Sequence, residues 1–174
     1  MKLGRLKPVD DRKIIERVLK GDTEAFNLLV RQWERPIYNF IVRMIGDRDE
    51  AMDLCQEAFM KAYRELGTLK DLDRFSSWLY RIAHNTCFSK LRKDQGKTFV
   101  ELEPGTHAAR TPIESRLAVE KALQYLPEDQ REVVVLKVFQ NLKFEEIAAI
   151  QGAPVSTVKS RLYMGFEKLR SILE

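Results

Sequence analysis

Phe144-Glu145-Glu146-Ile147-Ala148-Ala149-Ile150-Gln151-Gly152-Ala153-Pro154-Val155-Ser156-Thr157-Val158-Lys159-Ser160-Arg161-Leu162-Tyr163 reads as two short helices across a tight Gly152-Ala153-Pro154 break. The second, running on to Ile172, carries much of its charge as Lys and Arg. This order is the signature of a helix-turn-helix. The first helix has the small Ala148 where a second must approach closely, and Gly152 supplies the sharp turn. On a helical wheel Val158, Leu162, Gly165, Leu169 and Ile172 form one apolar face that packs on the preceding helix. The opposite side holds Ser156, Thr157, Ser160 and Tyr163, with Lys159 and Arg170 on one edge and Arg161 and Lys168 on the other. Long cations at both edges suit phosphates on the two walls of a major groove, and the short hydroxyls between them suit base edges. By spacing alone, a helical hairpin with a solvated basic face remains the alternative.

Composition narrows the partners. The chain has 174 residues, 44% hydrophobic and 32% charged, enough for one medium or two small globular domains and too apolar for a disordered chain. A net charge of +4 favours a polyanion only mildly, so any nucleic-acid surface must be local. The N-terminus is charged from Lys2 to Lys20 without a signal-peptide pattern, and no apolar run approaches the roughly twenty residues of a membrane span. A cytoplasmic protein without membrane insertion is expected. Cys55 and Cys87 lie far apart in helical patterns with no Cys or His at metal-ligand spacing, so buried thiols, no metal and no cofactor are expected.

The expected fold class is all-α: two small helical bundles joined by a flexible linker, the second containing the helix-turn-helix. Breaks at Gly21-Asp22, Gly46-Asp47 and Thr68 to Arg74 end near Asp or Ser residues that can cap the next helix, giving four helices before residue 94. Residues 1–94 form the first domain. From Asp94 to Thr111 the periodicity dissolves into Gln95-Gly96-Lys97, Glu103-Pro104-Gly105-Thr106 and Thr111-Pro112, so 95–111 is read as linker, with Thr98 to Leu102 the one candidate strand. Helix restarts at Thr111-Pro112-Ile113-Glu114, a capping box with Pro at the first helical position, and again at Leu126-Pro127-Glu128-Asp129. Residues 112–174 thus form a second bundle of four helices.

Within the first domain, the helix Arg48 to Leu66 should bury Ala51, Leu54, Cys55, Ala58 and Ala62. It leaves Asp53, Gln56, Glu57, Met60 and Arg64 outward. A Met exposed among carboxylate and amide groups suggests protein docking, although the spacing equally describes a solvated surface. The helix beginning at Ser76 or Ser77 is apolar on most sides and should be central. Its remaining stripe, Arg81, Asn85, Phe88 and Arg92, combines cations, an amide and an aromatic in a way that suits single-stranded DNA. Periodicity alone leaves Phe88 as readily in the core.

From about Ile14 to Ile172 the chain resembles an extracytoplasmic-function (ECF) sigma factor, the compact promoter-specificity subunit of bacterial RNA polymerase. The resemblance rests on five ordered motifs: Gly21-Asp22-Thr23-Glu24-Ala25-Phe26; Ala51-Met52-Asp53-Leu54-Cys55-Gln56-Glu57-Ala58-Phe59; Phe75-Ser76-Ser77-Trp78-Leu79-Tyr80-Arg81-Ile82-Ala83-His84-Asn85; Leu126-Pro127-Glu128-Asp129-Gln130-Arg131; and Pro154-Val155-Ser156-Thr157-Val158-Lys159-Ser160-Arg161-Leu162. It implies that Asp53, Gln56, Glu57 and Met60 dock on the clamp coiled coil of the largest catalytic subunit. It further implies that the loop Leu66 to Arg74, with Leu69 and Arg74, and the helix bearing Trp78, Arg81, Asn85, Phe88 and Arg92 hold unpaired bases of the -10 element. Asn85 and Arg81 are the preferred contacts, since a base must leave the stack before its Watson-Crick edge is read. Lys159, Ser160 and Tyr163 would contact -35 bases, and Thr157, Arg161 and Arg170 would anchor phosphate. The resemblance implies core RNA polymerase and promoter DNA as partners, an anti-sigma factor that covers these faces or holds the protein at the membrane, a role in stress response, and a monomer when free.

Three residues depart from the family pattern: Ser156 stands where Gly is usual, and Tyr163 and Met164 stand where His or Arg is frequent. Met164 cannot donate a hydrogen bond, which favours apolar contact with a thymine methyl. Two rival readings are a stand-alone helix-turn-helix regulator, dimeric on a palindrome, and a metal-dependent nuclease. The second would need clustered acids, but Asp47, Asp49, Glu50 and Asp53 are the acids expected where a helix begins. Ser76-Ser77 reads as a cap, and His84 and His107 have no evident partners, so no catalysis is expected.

Overall fold

A computed structural model describes residues 10–94 and 112–174, with side chains in the second span from Ser115 onward. Among the described residues there are eight α-helices and no strand. The expected linker, the candidate strand Thr98 to Leu102, His107 and the Thr111 cap lie outside the described residues.

Four helices make the first bundle: α1 (Asp11–Leu19), α2 (Phe26–Ile45), α3 (Arg48–Glu65) and α4 (Phe75–Asp94). Each break has a local cause. Gly46 takes φ +82° to end α2, and the Asp47 carboxylate accepts from the Asp49 and Glu50 N–H groups, both at 2.9 Å, to start α3. This use of Asp47 as a cap accounts for the acidic cluster. Single-turn 3-10 helices at Leu66–Thr68 and Leu72–Arg74 form the loop into α4. Arg12 of α1 pins that loop through Asp73 at 3.3 Å.

The start of α4 differs from expectation. Helix begins at Phe75, Asp71 caps the preceding turn, and the Ser77 hydroxyl donates to the Arg74 carbonyl at 3.2 Å. Ser76-Ser77 is therefore not the cap, because the loop's own helical turn runs directly into α4. Helix α4 is central as expected, burying Phe75, Leu79, Tyr80, Ile82, Ala83, Thr86 and Cys87.

The second bundle contains α5 (Pro112–Leu123), α6 (Glu128–Val134), α7 (Phe144–Gln151) and α8 (Val155–Leu173). Helix α6 continues as a π-helical turn over Val135–Phe139, which shifts the phase of Val138 and Phe139 outward. Gly152 takes φ +62° between α7 and α8, the left-handed conformation that a Cβ would strain. The apolar face of α8 packs as its spacing predicts, with Val158, Gly165 and Leu169 buried and Leu162 and Ile172 half-buried. A Cβ on Gly165 would sit 3.0 Å from Val134 Cγ2, so this glycine sets how closely α8 lies on α6.

Candidate nucleic-acid interface

Helix α8 presents its polar side to solvent. Ser156, Lys159, Ser160 and Met164 are exposed, Thr157 is half-buried, and Tyr163 is 67% exposed. Lys159 Nζ lies 5.4 Å from the Phe144 ring centroid, a cation-π contact that leaves the ammonium at the surface. Arg170 is exposed and only loosely paired, 3.7 Å from Glu167 and 3.8 Å from Glu174. Arg161 differs from these cations. Its guanidinium is 2.7 Å from Asp129 and 2.9 Å from Gln151 Oε1, with 24% of its side chain exposed.

The α4 surface and its loop bring together most of the residues read as a single-strand site. Arg81, Asn85 and Arg92 are exposed along one side, with Arg92 Nε donating to the Phe88 carbonyl at 3.3 Å. Phe88 is half-buried, its ring 4.3 Å from that of His84, so it belongs partly to the core and partly to the surface. Leu69 and Trp78 are likewise half-buried against the core, while Arg74 stands out at the loop end, 3.3 Å from Asp71. Lys90 is held by Glu50 at 2.8 Å and Asp94 at 3.2 Å, and these hydrogen bonds push its pKa up.

On α3, Asp53, Gln56, Glu57 and Met60 are all exposed, Met60 to 60%, and Glu57 pairs with Lys61 at 2.6 Å. Met52 at 55% and Tyr63 at 45% extend this apolar and acidic surface, though the sequence reading did not select them. The alternation of exposed and buried residues along α3 was the signal that would have found both.

The bundles are docked on each other, and α4 carries much of that contact. His84 has a partner after all: its Nδ1 is 2.6 Å from Oε1 of Glu132, a carboxylate that is 0% exposed. The Tyr80 hydroxyl donates to Gln140 Oε1 at 2.8 Å. From α2, the Arg43 guanidinium lies 4.2 Å over the Phe139 ring, and its carbonyl accepts from Gln124 Nε2 at 2.8 Å. Arg131 is buried and donates across the interface to the Met44 carbonyl and within its own bundle to those of Gln124 and Leu126. Burial pushes the pKa of Arg43 and Arg131 down, with Glu120 and Glu128 respectively opposing it.

Both cysteines are free and buried. Burial, with some help from Glu34, pushes the Cys55 thiol up to about 11. Burial also raises Cys87 and Tyr80. Burial in the core thus disfavours the charged form of each group.

The family model for Sigma-70 region 2 matches residues 29–97, and that for Sigma-70, region 4 matches residues 116–169. The chain is 34% identical to the ECF RNA polymerase sigma factor SigW of Bacillus subtilis, over 93% of this chain and 96% of that protein. This chain belongs to the ECF sigma factors. It is also 37% identical to the RNA polymerase sigma-H factor of Pseudomonas aeruginosa, over 94% of each. Its fold matches the sigma factor RpoE of Bartonella quintana, solved with the anti-sigma factor NepR, at a TM-score of 0.70 and 26% identity, covering 84% of this chain and 95% of that one. An ECF sigma factor is an initiation factor that directs RNA polymerase to promoters, and it is not an enzyme. Among the described residues no helix is long and apolar enough to cross a membrane.

Proposed function

We propose that this sigma factor docks on core RNA polymerase through Asp53, Gln56, Glu57 and Met60. On that reading residues 1–94 read the melted -10 element through Leu69, Arg74, Trp78, Arg81, Asn85, Phe88 and Arg92. Residues 112–174 read the -35 duplex through Ser156, Thr157, Lys159, Ser160, Tyr163, Met164 and Arg170. The carrying observation is that one chain presents an open polar face on α8 and, on a separate bundle, an exposed acidic and methionine-bearing face on α3 beside the cationic stripe of α4.

Elements centred near -35 and -10 are about 25 base pairs apart, roughly 85 Å at 3.4 Å per step. A compact chain of this length has a radius of gyration of only about 16 Å. The docked form, with His84 and Glu132 at 2.6 Å, therefore cannot read both elements at once, and the bundles part on the polymerase. Residues 95–111, fully extended, reach about 60 Å, which together with the bundles' own dimensions spans the distance. An anti-sigma factor that holds the docked form in the cytoplasm is the regulator this reading favours, by analogy with RpoE and NepR.

Run-off transcription with bacterial core polymerase on a promoter library tests the proposal. The wild type is expected to create start sites, and Asp53→Ala combined with Gln56→Ala to lose them. Tight duplex binding without polymerase, and no new start sites with it, would turn the assignment toward the dimeric regulator.

A further inference from the structure

We infer that Arg161 is a positioning residue that fixes the seating of the recognition helix and makes no contact with DNA phosphate. The inference rests on the reading of α8 as the -35 helix. On the helical wheel Arg161 is an edge cation like Lys159, but its surroundings are of another kind. Its two terminal nitrogens are taken by two elements: Asp129, in the first turn of α6, at 2.7 Å, and Gln151, the last residue of α7, at 2.9 Å.

The Gln151 amide is fixed in turn. Its Nε2 donates to the Asp129 carbonyl at 3.1 Å and to Glu132 Oε2 at 2.9 Å while its Oε1 accepts from Arg161. Turning this amide over would set its NH2 against the guanidinium and its oxygen against a carbonyl and a carboxylate, so a single orientation satisfies every partner. Glu132 is fully buried, so one end of the network is anchored inside the protein while the Asp129 carboxylate stands half exposed at the other. A guanidinium held at two points in a planar fork cannot swing to a phosphate without giving up both its ion pair with Asp129 and its hydrogen bond to Gln151 Oε1.

Helix α8 needs such a strut. Pro154 at its start offers no side-chain cap, and the apolar face meets α6 closely at Gly165, so the two polar ties of Arg161 add a directional restraint that apolar packing does not supply. Arg161, nearly two turns into the helix, ties the roll of α8 to α6 and α7. That roll decides which base edges Lys159, Ser160 and Tyr163 meet.

The experiment uses the full chain with core polymerase on a promoter chosen from the library screen, with matched and singly substituted -35 hexamers. Arg161→Ala, Arg161→Lys, Asp129→Ala and Arg170→Ala are compared for template discrimination and for the slope of log affinity against log salt. A phosphate contact contributes about one unit to that slope. Arg170→Ala, at an exposed cation read as a phosphate anchor, is expected to lower the slope by about that amount. Arg161→Ala and Asp129→Ala should leave the slope unchanged yet reduce discrimination between matched and substituted hexamers about fivefold or more, the scale of one base contact. Their double variant should add nothing further.

Loss of a purely structural group would lower the active fraction without changing discrimination. A slope lowered by Arg161→Ala, or affinity raised by Asp129→Ala through a freed guanidinium, would overturn the inference. Should Arg161→Ala fail to fold, Arg161→Lys decides. The charge-conserving change keeps discrimination if the role is phosphate binding and loses it if the two-point strut is what matters. If no variant, Arg170→Ala included, changes any -35 response, the reading of α8 itself has failed, which is a different result.

Discussion

Helices α4 and α8 are of nearly equal length and both are proposed to contact DNA, but they are built on opposite plans. Helix α4 is a shared wall, buried at seven positions and docked on the other bundle through Tyr80 and His84. Helix α8 is an outer helix buried at three positions, with one wide face open. An outer helix can have its reading face altered with little cost to the fold. A shared wall cannot, so the -10 reading proposed for α4 would be coupled to the stability of its bundle and to whether the two bundles are together.

The largest expected contrast is in stability. Phe75→Ala on α4 removes a ring that is 1% exposed and should cost about 3–5 kcal/mol, whereas Leu169→Ala on α8, at 9% exposed, should cost about 2 kcal/mol. Urea unfolding of the full chain measures both, and equal losses would break the comparison. Next in size is the contact between the bundles. Glu132→Ala leaves His84 and Gln151 without their carboxylate and should weaken docking by about 1–3 kcal/mol, seen as a greater distance between dyes placed on α3 and α8. The corresponding change on the outer helix, Met164→Arg, should leave that distance alone. It should shift -35 preference and raise the salt slope by about one unit, and unchanged preference and slope would remove Met164 from the interface.

The smallest effect at neutral pH is an alkaline weakening centred on α4 and its neighbour α3. Unfolded Cys55 has its ordinary value of 9.0, and in the folded protein burial pushes it up to about 11. The unfolded state therefore sheds its proton first. The stability contributed by the buried thiol is complete below pH 9 and is lost as pH rises through about 11. Cys87 and Tyr80, both raised by burial in α4, act in the same direction. Denaturation midpoints recorded from pH 8 to 11 should fall, and Cys55→Ala should fall less steeply than the wild type.

What sequence made legible follows the same division. The face of α8 and the alternation along α3 could be read residue by residue, because a helix buried on one side writes its burial as a 3.6-residue period. Phe88 could not be decided, because α4 is covered on several sides and its period is correspondingly faint. His84 looked partnerless because its partner lies 48 residues further along, in a run of charges that reads as the solvated start of a helix. Arg161 looked like a groove cation because a helical wheel gives direction and not the identity of the neighbour. Ser76-Ser77 looked like a cap because the helical turn at Leu72–Arg74 is too short to leave a periodic trace.

The sequence by itself determined the all-α class, the helices, the turn at Gly152 and, through five ordered motifs, the family; these rest on local propensity and on patterns a few residues long. Only the tertiary structure decided that the bundles are docked, that Glu132 is buried between His84 and Gln151, and that Arg161 is held by Asp129. Those facts depend on which groups meet across distant segments, and the energy of a buried polar group is set by its partner rather than by its own residue type.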